Sequence, residues 1–304
     1  MSRARWVAAV GLAAGLVAGG ITACGGTAGE TRTTVVPEGD KKTRKEAVRQ
    51  ARGVIEEIYE SIRRGDVDGL SAIVAPELIV IGPDSGKGTR ARADALIALG
   101  EALGSGKHDV ESKELRVGAS PAGASAWAVD RVVVDGKPMH FVALLTGADD
   151  LWSVTMVHLA RPISSREADQ AIGGLTGPPG MTAARGSEEV GKLLQSMAAA
   201  PELILEQLGE DEDSVLVPGT SRTLTVGRKA IRKLWKKVMK AAPAWTLLGG
   251  VASGLSSDGS LGWAWAHVDV AIDGPPLTHR VFAIYRQSGG TWDLLVVHPA
   301  VLAR

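Results

Sequence analysis

The chain has 304 residues, 45% hydrophobic and 22% charged, a globular composition with room for two domains. Its 34 basic and 34 acidic side chains cancel, which argues against a dedicated nucleic-acid binder, since that needs a basic excess. A single cysteine excludes an intrachain disulfide. Because the six histidines lack ligand spacing, no metal and no cofactor is expected.

Residues 1–23 read as a secretory signal: Arg3 and Arg5, then an apolar Ala/Val/Leu/Gly run, then small residues. Ile21-Thr22-Ala23-Cys24 resembles the lipobox of bacterial lipoproteins, whose cysteine becomes the lipidated first residue. The resemblance implies a chain anchored through Cys24 in the bacterial cell envelope, at the outer membrane or the periplasmic face. Residues 24–43, rich in Gly, Thr and charge, read as a flexible tether.

The first domain, 44–162, opens with a helix over 45–64, where Val48, Ala51, Val54, Ile55, Ile58 and Ile62 form one stripe. Gly65 ends it. A short helix starts at Asp66 and is broken by Pro76, a strand covers 77–82, and a third helix covers 89–103. Strands follow over 109–117, 125–134, 140–145 and 152–160, with Asp135-Gly136 as a hairpin turn. Residues 163–185, Gly- and Pro-rich, read as a linker.

The second domain, 186–304, repeats this order: helices over 188–200 and 201–209, a strand over 214–219, a helix over 227–240, then strands through Asp273-Gly274 to the end. Trp152 and Trp292 are 140 positions apart, as are His158 and His298, while Asp135 and Asp273 are 138 apart. "WAVDRVVVDG" at 127–136 stands opposite "WAHVDVAIDG" at 265–274. A period this long means one domain present twice.

Gly65-Asp66, the Gly82-Pro83 turn and the Trp152 to His158 strand, with Pro218, Gly227-Arg228-Lys229 and Trp292 to His298 in the second copy, resemble the SnoaL-like branch of the nuclear-transport-factor-2-like superfamily. The resemblance implies an α+β fold. Each of the two cone-shaped domains would pack about three helices on a curved antiparallel sheet, with a pocket at the open end. It also implies pairing through the outer sheet faces, here between the two copies of one chain. In the isomerase branch an Asp before the strand-ending Pro is the base. Gly82 and Val217 stand there instead, so no catalytic residue is carried over. Tyr59 is one residue nearer Gly65 than in the family. That is about 100° of helix rotation, so it is expected to face elsewhere.

Candidate pocket or rim residues are Tyr59, Trp127, Asp130, His140 and His158, with Trp265, His267, Asp269, His279 and His298 in the second copy. On a regular strand Trp152, Val154, Met156 and His158 share one largely apolar face, as do Trp292, Leu294, Val296 and His298, which makes the histidines structural or rim residues rather than catalysts. Asp130 and Arg131 point to opposite faces. The helix over 227–240 carries seven basic residues opposite an apolar stripe. It reads either as a domain helix solvating one side or as a surface for anionic head groups, with the former preferred. The leading expectation is a membrane-tethered protein that binds a small apolar ligand or an envelope protein without catalysis. The alternative is a cyclase- or isomerase-type enzyme acting on a hydrophobic carbonyl compound.

Overall fold

The structure is a computed structural model that describes residues 40–82, 88–89, 92–103, 106–148, 151–163, 186–209, 212–219, 223–241, 243–271 and 276–302. The signal segment, Cys24, Pro83, Asp273-Gly274 and most of the linker lie outside the described residues.

Helix α1 (Lys41–Arg64) starts four residues before the apolar stripe predicts, because Asp40 caps it by accepting from the Thr43 amide at 2.7 Å. Gly65, at φ 66°, closes it in the left-handed region. Asp66 caps α2 (Val67–Ala72) in the same way through the Gly69 amide. β1 (Val74–Ile81) follows, with Pro76 inside the strand rather than breaking a helix, and then β2 (Gly88–Thr89) and α3 (Arg92–Leu103). The rest of this half is β3 (Val110–Ser112), β4 (Arg116–Ala119), β5 (Ser125–Val134), β6 (Lys137–Ala148) and β7 (Leu151–Ala160). The Asp135-Gly136 turn has φ of 49° and 75°, the pair of positive values that suits the twist of a two-residue hairpin.

The second half contains α4 (Glu188–Ala199), a 3-10 turn (Pro201–Leu203), α5 (Ile204–Gln207), β8 (Val215–Leu216), β9 (Thr225–Val226) and α6 (Arg228–Met239). It ends in β10 (Ala244–Leu255), β11 (Leu261–Ala271), β12 (Leu277–Ser288) and β13 (Thr291–Val301). The sheet orders correspond: β2-β1-β7-β6-β5-β3, with β4 also on β5, against β9-β8-β13-β12-β11-β10. In each half the first strand runs parallel to the last, so neither sheet is wholly antiparallel.

The expected cone is not there. Each half is a mixed helix and sheet layer whose sheet is open at both edges and neither closed nor strongly curled. Each sheet is packed on both faces. Strand β5 alternates Ala126, Ala128 and Val132 toward its own helices with Trp127 and Val129 toward the other half. Each sheet thus packs its helices on one face and the other sheet on its second face.

The repeat is also in a different register from the one its sequence suggests. Gly118 pairs with Trp127 and Trp127 with Leu144, as Gly254 pairs with Trp263 and Trp263 with Ile284. Trp127 therefore corresponds to Trp263, not Trp265. The extra residues sit in one hairpin, since Val134 pairs with Lys137 but Val270 pairs with Leu277. At Gly118 and Gly254 the indole of the cross-strand Trp covers the glycine so closely that an added Cβ would lie 2.5 Å from the ring. Gly254→Ala is therefore expected to push Trp263 out of its place and destabilise the protein by about 1–3 kcal/mol, read as a lower urea midpoint with unchanged slope.

A bulge in each last strand changes the faces. Leu144 pairs with Met156 but Leu145 with Val154; Ile284 pairs with Val296 but Tyr285 with Leu294. The extra residue, Thr155 or Leu295, reverses the alternation. Trp152 and Val154 thus face the helices, while Met156 and His158 face the other half. The single shared face expected of Trp152 to His158 does not exist, nor does its counterpart in β13. The two Trp indoles reach first helices instead, Trp152 donating to Gln50 at 2.7 Å and Trp292 to Glu189 at 3.3 Å.

Candidate functional site

Three polar constellations are buried in the fold. The first lies inside the first half. Ile55, Ile58, Tyr59 and Ile62 follow helical spacing toward the sheet, so Tyr59 faces inward after all, 3% exposed. Its Oη donates to Asp130 Oδ2 at 3.0 Å, and the Glu114 amide donates to Asp130 Oδ1 at 2.9 Å. Burial pushes the Asp130 carboxyl up, against hydrogen bonds from Ser112, Glu114 and Tyr59 that pull it down. Burial and the neighbouring carboxylate push the Tyr59 phenol well up, so it stays a donor. Beside the pair is a cavity of about 20 Å³ walled by Ile58, Leu78, Leu99, Phe141 and Leu159. That holds no more than about one water, and an apolar wall offers it no partners. Arg131, the next residue, is part-exposed on the opposite face.

The second constellation is the joint between the halves. Trp127, Val129, Val142, Leu144 and Met156 from the first sheet form one apolar core with Trp263, Trp265, Phe282, Ile284 and Val296 from the second. The two domains therefore pair within the chain, sheet face on sheet face. At the centre the equivalent residues His158 and His298 meet with their Nδ1 atoms 3.2 Å apart. Both are fully buried, and His158 stacks on Phe282 at 4.9 Å. Only one of the two nitrogens can donate, so the pair holds one neutral donor and one neutral acceptor. His140 stands edge-on to His298 at 5.1 Å. Its equivalent, Arg280, is buried and donates to the Leu159 carbonyl at 3.2 Å across the joint. Burial lowers His158 and His298 well below the usual imidazole range, reinforced by Arg280 and the neighbouring imidazoles. Burial, with Arg131 nearby, brings His140 down to about 4. Neither ring nitrogen of His140, nor Nε2 of His158 or His298, has a hydrogen-bond partner among the described residues.

The third is a latch at the edge of the joint. Asp258, in the turn between β10 and β11, accepts from Ser256 and Ser260 of its own half. It also accepts from Ser125 at 2.6 Å and Ser120 at 3.3 Å in the other half. Burial would raise its carboxyl, but the hydroxyls of Ser125, Ser256 and Ser260 outweigh that and hold it low. Further links between halves are Leu224 N–H to Glu114 at 2.9 Å and Ile163 N–H to the Gly219 carbonyl at 3.2 Å.

The structure thus brings His140, His158, His298, Trp127 and Trp265 into the joint and puts Tyr59 with Asp130 on the other face of the first sheet. His267 lies edge-on to Trp265 at 5.4 Å. Asp269 accepts from Thr278 at 2.6 Å, and His279 Nδ1 donates to the Leu277 carbonyl at 3.0 Å with its imidazole lowered by burial. Sequence reasoning missed Arg280 and Asp258. An Arg leading directly into the apolar run 281–285 of β12 was the available signal for the first, whereas Asp258 looks like any turn residue. Among the described residues no group of three or more His, Cys, Asp or Glu could hold a metal ion, and no helix is long and apolar enough to cross a membrane.

No protein-family model matches the chain, and no curated protein matches it. Among solved structures, a protein of the NTF2-like family from Streptomyces avermitilis is similar over 40% of this chain and 99% of its own, at 16% identity and a TM-score of 0.34. An NTF2-like protein of unknown function from Pseudomonas putida is similar over 40% of this chain and 90% of its own, at 20% identity and 0.34. A protein with a cystatin-like fold from Caulobacter vibrioides is similar over 41% and 95%, at 13% and 0.34. The two halves share one sheet order, so one fold occurs twice in tandem.

Proposed function

We propose that this chain is an extracytoplasmic lipoprotein, anchored through Cys24 in the bacterial cell envelope, whose paired domains dock an envelope protein without catalysis. The observation that carries the non-catalytic part is how the buried polar groups are used. Both oxygens of Asp130 are taken by Tyr59 and the Glu114 amide, and the void beside them is about 20 Å³. An acid–base pair acts only on a substrate within hydrogen-bond reach, and a drug-sized ligand needs about 300 Å³ or more. The same filling counts against a small apolar ligand, or a carbonyl substrate, beside Tyr59 and Asp130. The buried histidines sit between sheets, where they hold the halves together. The anchoring rests on the lipobox-like Ile21-Thr22-Ala23-Cys24 after a basic and apolar leader.

Two measurements test this. Native mass spectrometry of the chain from residue 24 onward, made in its own host with Cys24→Ser, is expected to give a monomer of bare mass. A small molecule retained on the chain would replace docking with ligand binding. Labelled palmitate is expected to enter the full chain and to be lost in Cys24→Ser. Equal labelling of both would end the anchoring reading.

A further inference from the structure

Helix α6 carries more positive charge than its fold requires. Lys229, Arg232, Lys233, Lys236, Lys237 and Lys240 are all exposed, and none forms an ion pair with a described residue. The opposite side buries Ile231 and Trp235, the latter donating its indole N–H to the Pro201 carbonyl at 2.8 Å. The helix contains no acidic residue. Cations three and four apart, such as Lys229 with Lys233 and Lys233 with Lys237, repel each other, and basic residues in the first turn oppose the helix dipole. A helix that only solvated one face would mix the signs. Among the described residues, the acids beside it are Glu212, which lines the same groove near Arg228, and Asp213, already paired with Arg44 at 2.6 Å.

That last pair places the face. Arg44 is in the first turn of α1, four residues after Asp40, so Glu212 and Asp213 bridge the start of the described chain to the start of α6. Exposed Lys41, Lys42 and Lys45 lie at the same end of α1. Only fifteen residues separate Asp40 from Cys24, a span of at most about 50 Å. We propose that the basic face of α6 rests on the anionic phospholipid surface of the membrane that holds the Cys24 lipid, fixing how the paired domains stand on it. This rests on the anchoring reading above. Head-group phosphates supply the negative charge, and no acyl insertion is needed because the apolar side of α6 is buried in its own domain.

The test is sedimentation of the Cys24→Ser chain, from residue 24 onward, with vesicles of phosphatidylglycerol and phosphatidylcholine, and with phosphatidylcholine alone. Binding is expected only to the anionic vesicles and to weaken steeply with salt. Each basic residue near such a surface contributes about fivefold in affinity. The triple variant Lys233→Gln, Lys236→Gln, Lys237→Gln is therefore expected to bind about 100-fold more weakly, with a melting temperature no lower than that of the parent. Lys41→Gln with Lys42→Gln serves as the milder second variant. No binding to anionic vesicles at low salt, or binding that the triple variant keeps, would overturn the proposal. The chain used carries no lipid, so this outcome is independent of palmitate labelling: labelling without vesicle binding sinks the face alone, and vesicle binding without labelling sinks the anchor alone.

Discussion

Acidifying the protein from pH 7 to pH 4 is expected to cost it several kcal/mol of stability. His140, His158 and His298 are neutral in the folded state because burial keeps the charged imidazole out, with Arg131 and Arg280 opposing it as well. In the unfolded chain each takes up a proton near the usual imidazole value of about 6.5. Below that value the unfolded state binds more protons than the folded one, so stability falls as pH falls, by about 1.4 kcal/mol per pH unit for each such histidine. For His140 the loss runs from about pH 6.5 down to about 4, roughly 3 kcal/mol in all. The His158 and His298 pair adds loss of the same sign, since its two rings cannot both be charged at 3.2 Å. Asp130, raised by burial, works in the opposite direction, and Asp258, held low, begins to add loss below about pH 4. Urea midpoints at pH 7, 6, 5 and 4 measure the sum. His140→Leu should flatten the slope by one histidine, and a midpoint unchanged from pH 7 to 4 would refute the account of the joint.

Trp265→Ala is expected to be the most damaging single truncation in the joint. The side chain is fully buried, stands opposite Phe282 on β12 and meets His267 edge-on at 5.4 Å. Removing a buried indole costs about 3–5 kcal/mol through lost burial and the cavity left behind. A domain holds only about 5–15 kcal/mol, so a large part of the protein's stability goes with this residue. Because one apolar core serves both sheets, Trp127→Ala in the other half should produce a loss of the same order in a single transition. Urea unfolding followed by Trp fluorescence and circular dichroism reads both. A loss below about 1 kcal/mol at Trp265, or two separate transitions in the parent protein, would show that the halves do not depend on one another.

The sequence by itself determined the periodic features. The stripe of α1, the Asp66 cap, the Asp135-Gly136 hairpin, the order of helices and strands and the twofold repetition all follow from local spacing, which needs no knowledge of partners. Pairing of the copies was what the family resemblance implied for a chain that carries the domain twice, and the shared core between the sheets bears it out. Counting along a strand held for Asp130 and Arg131 in the regular β5 but failed past a bulge or a longer connection. One extra residue at Thr155 turned His158 away from the face of Trp152, and the longer β11–β12 connection moved the partner of Trp127 from Trp265 to Trp263. A bulge leaves no mark in composition, yet it reverses every side chain beyond it.

Only the tertiary structure decided what the polar residues do. Tyr59 and Asp130 meet because α1 crosses β5, 71 positions apart in the chain; His158 and His298 meet across 140, and Ser125 and Asp258 across 133. Nor does local pattern say how far a sheet curls, and an open layer stands where a cone was expected. Burial between two sheets sets the charge of the histidines, and burial is a property of the whole chain's packing rather than of any stretch of it.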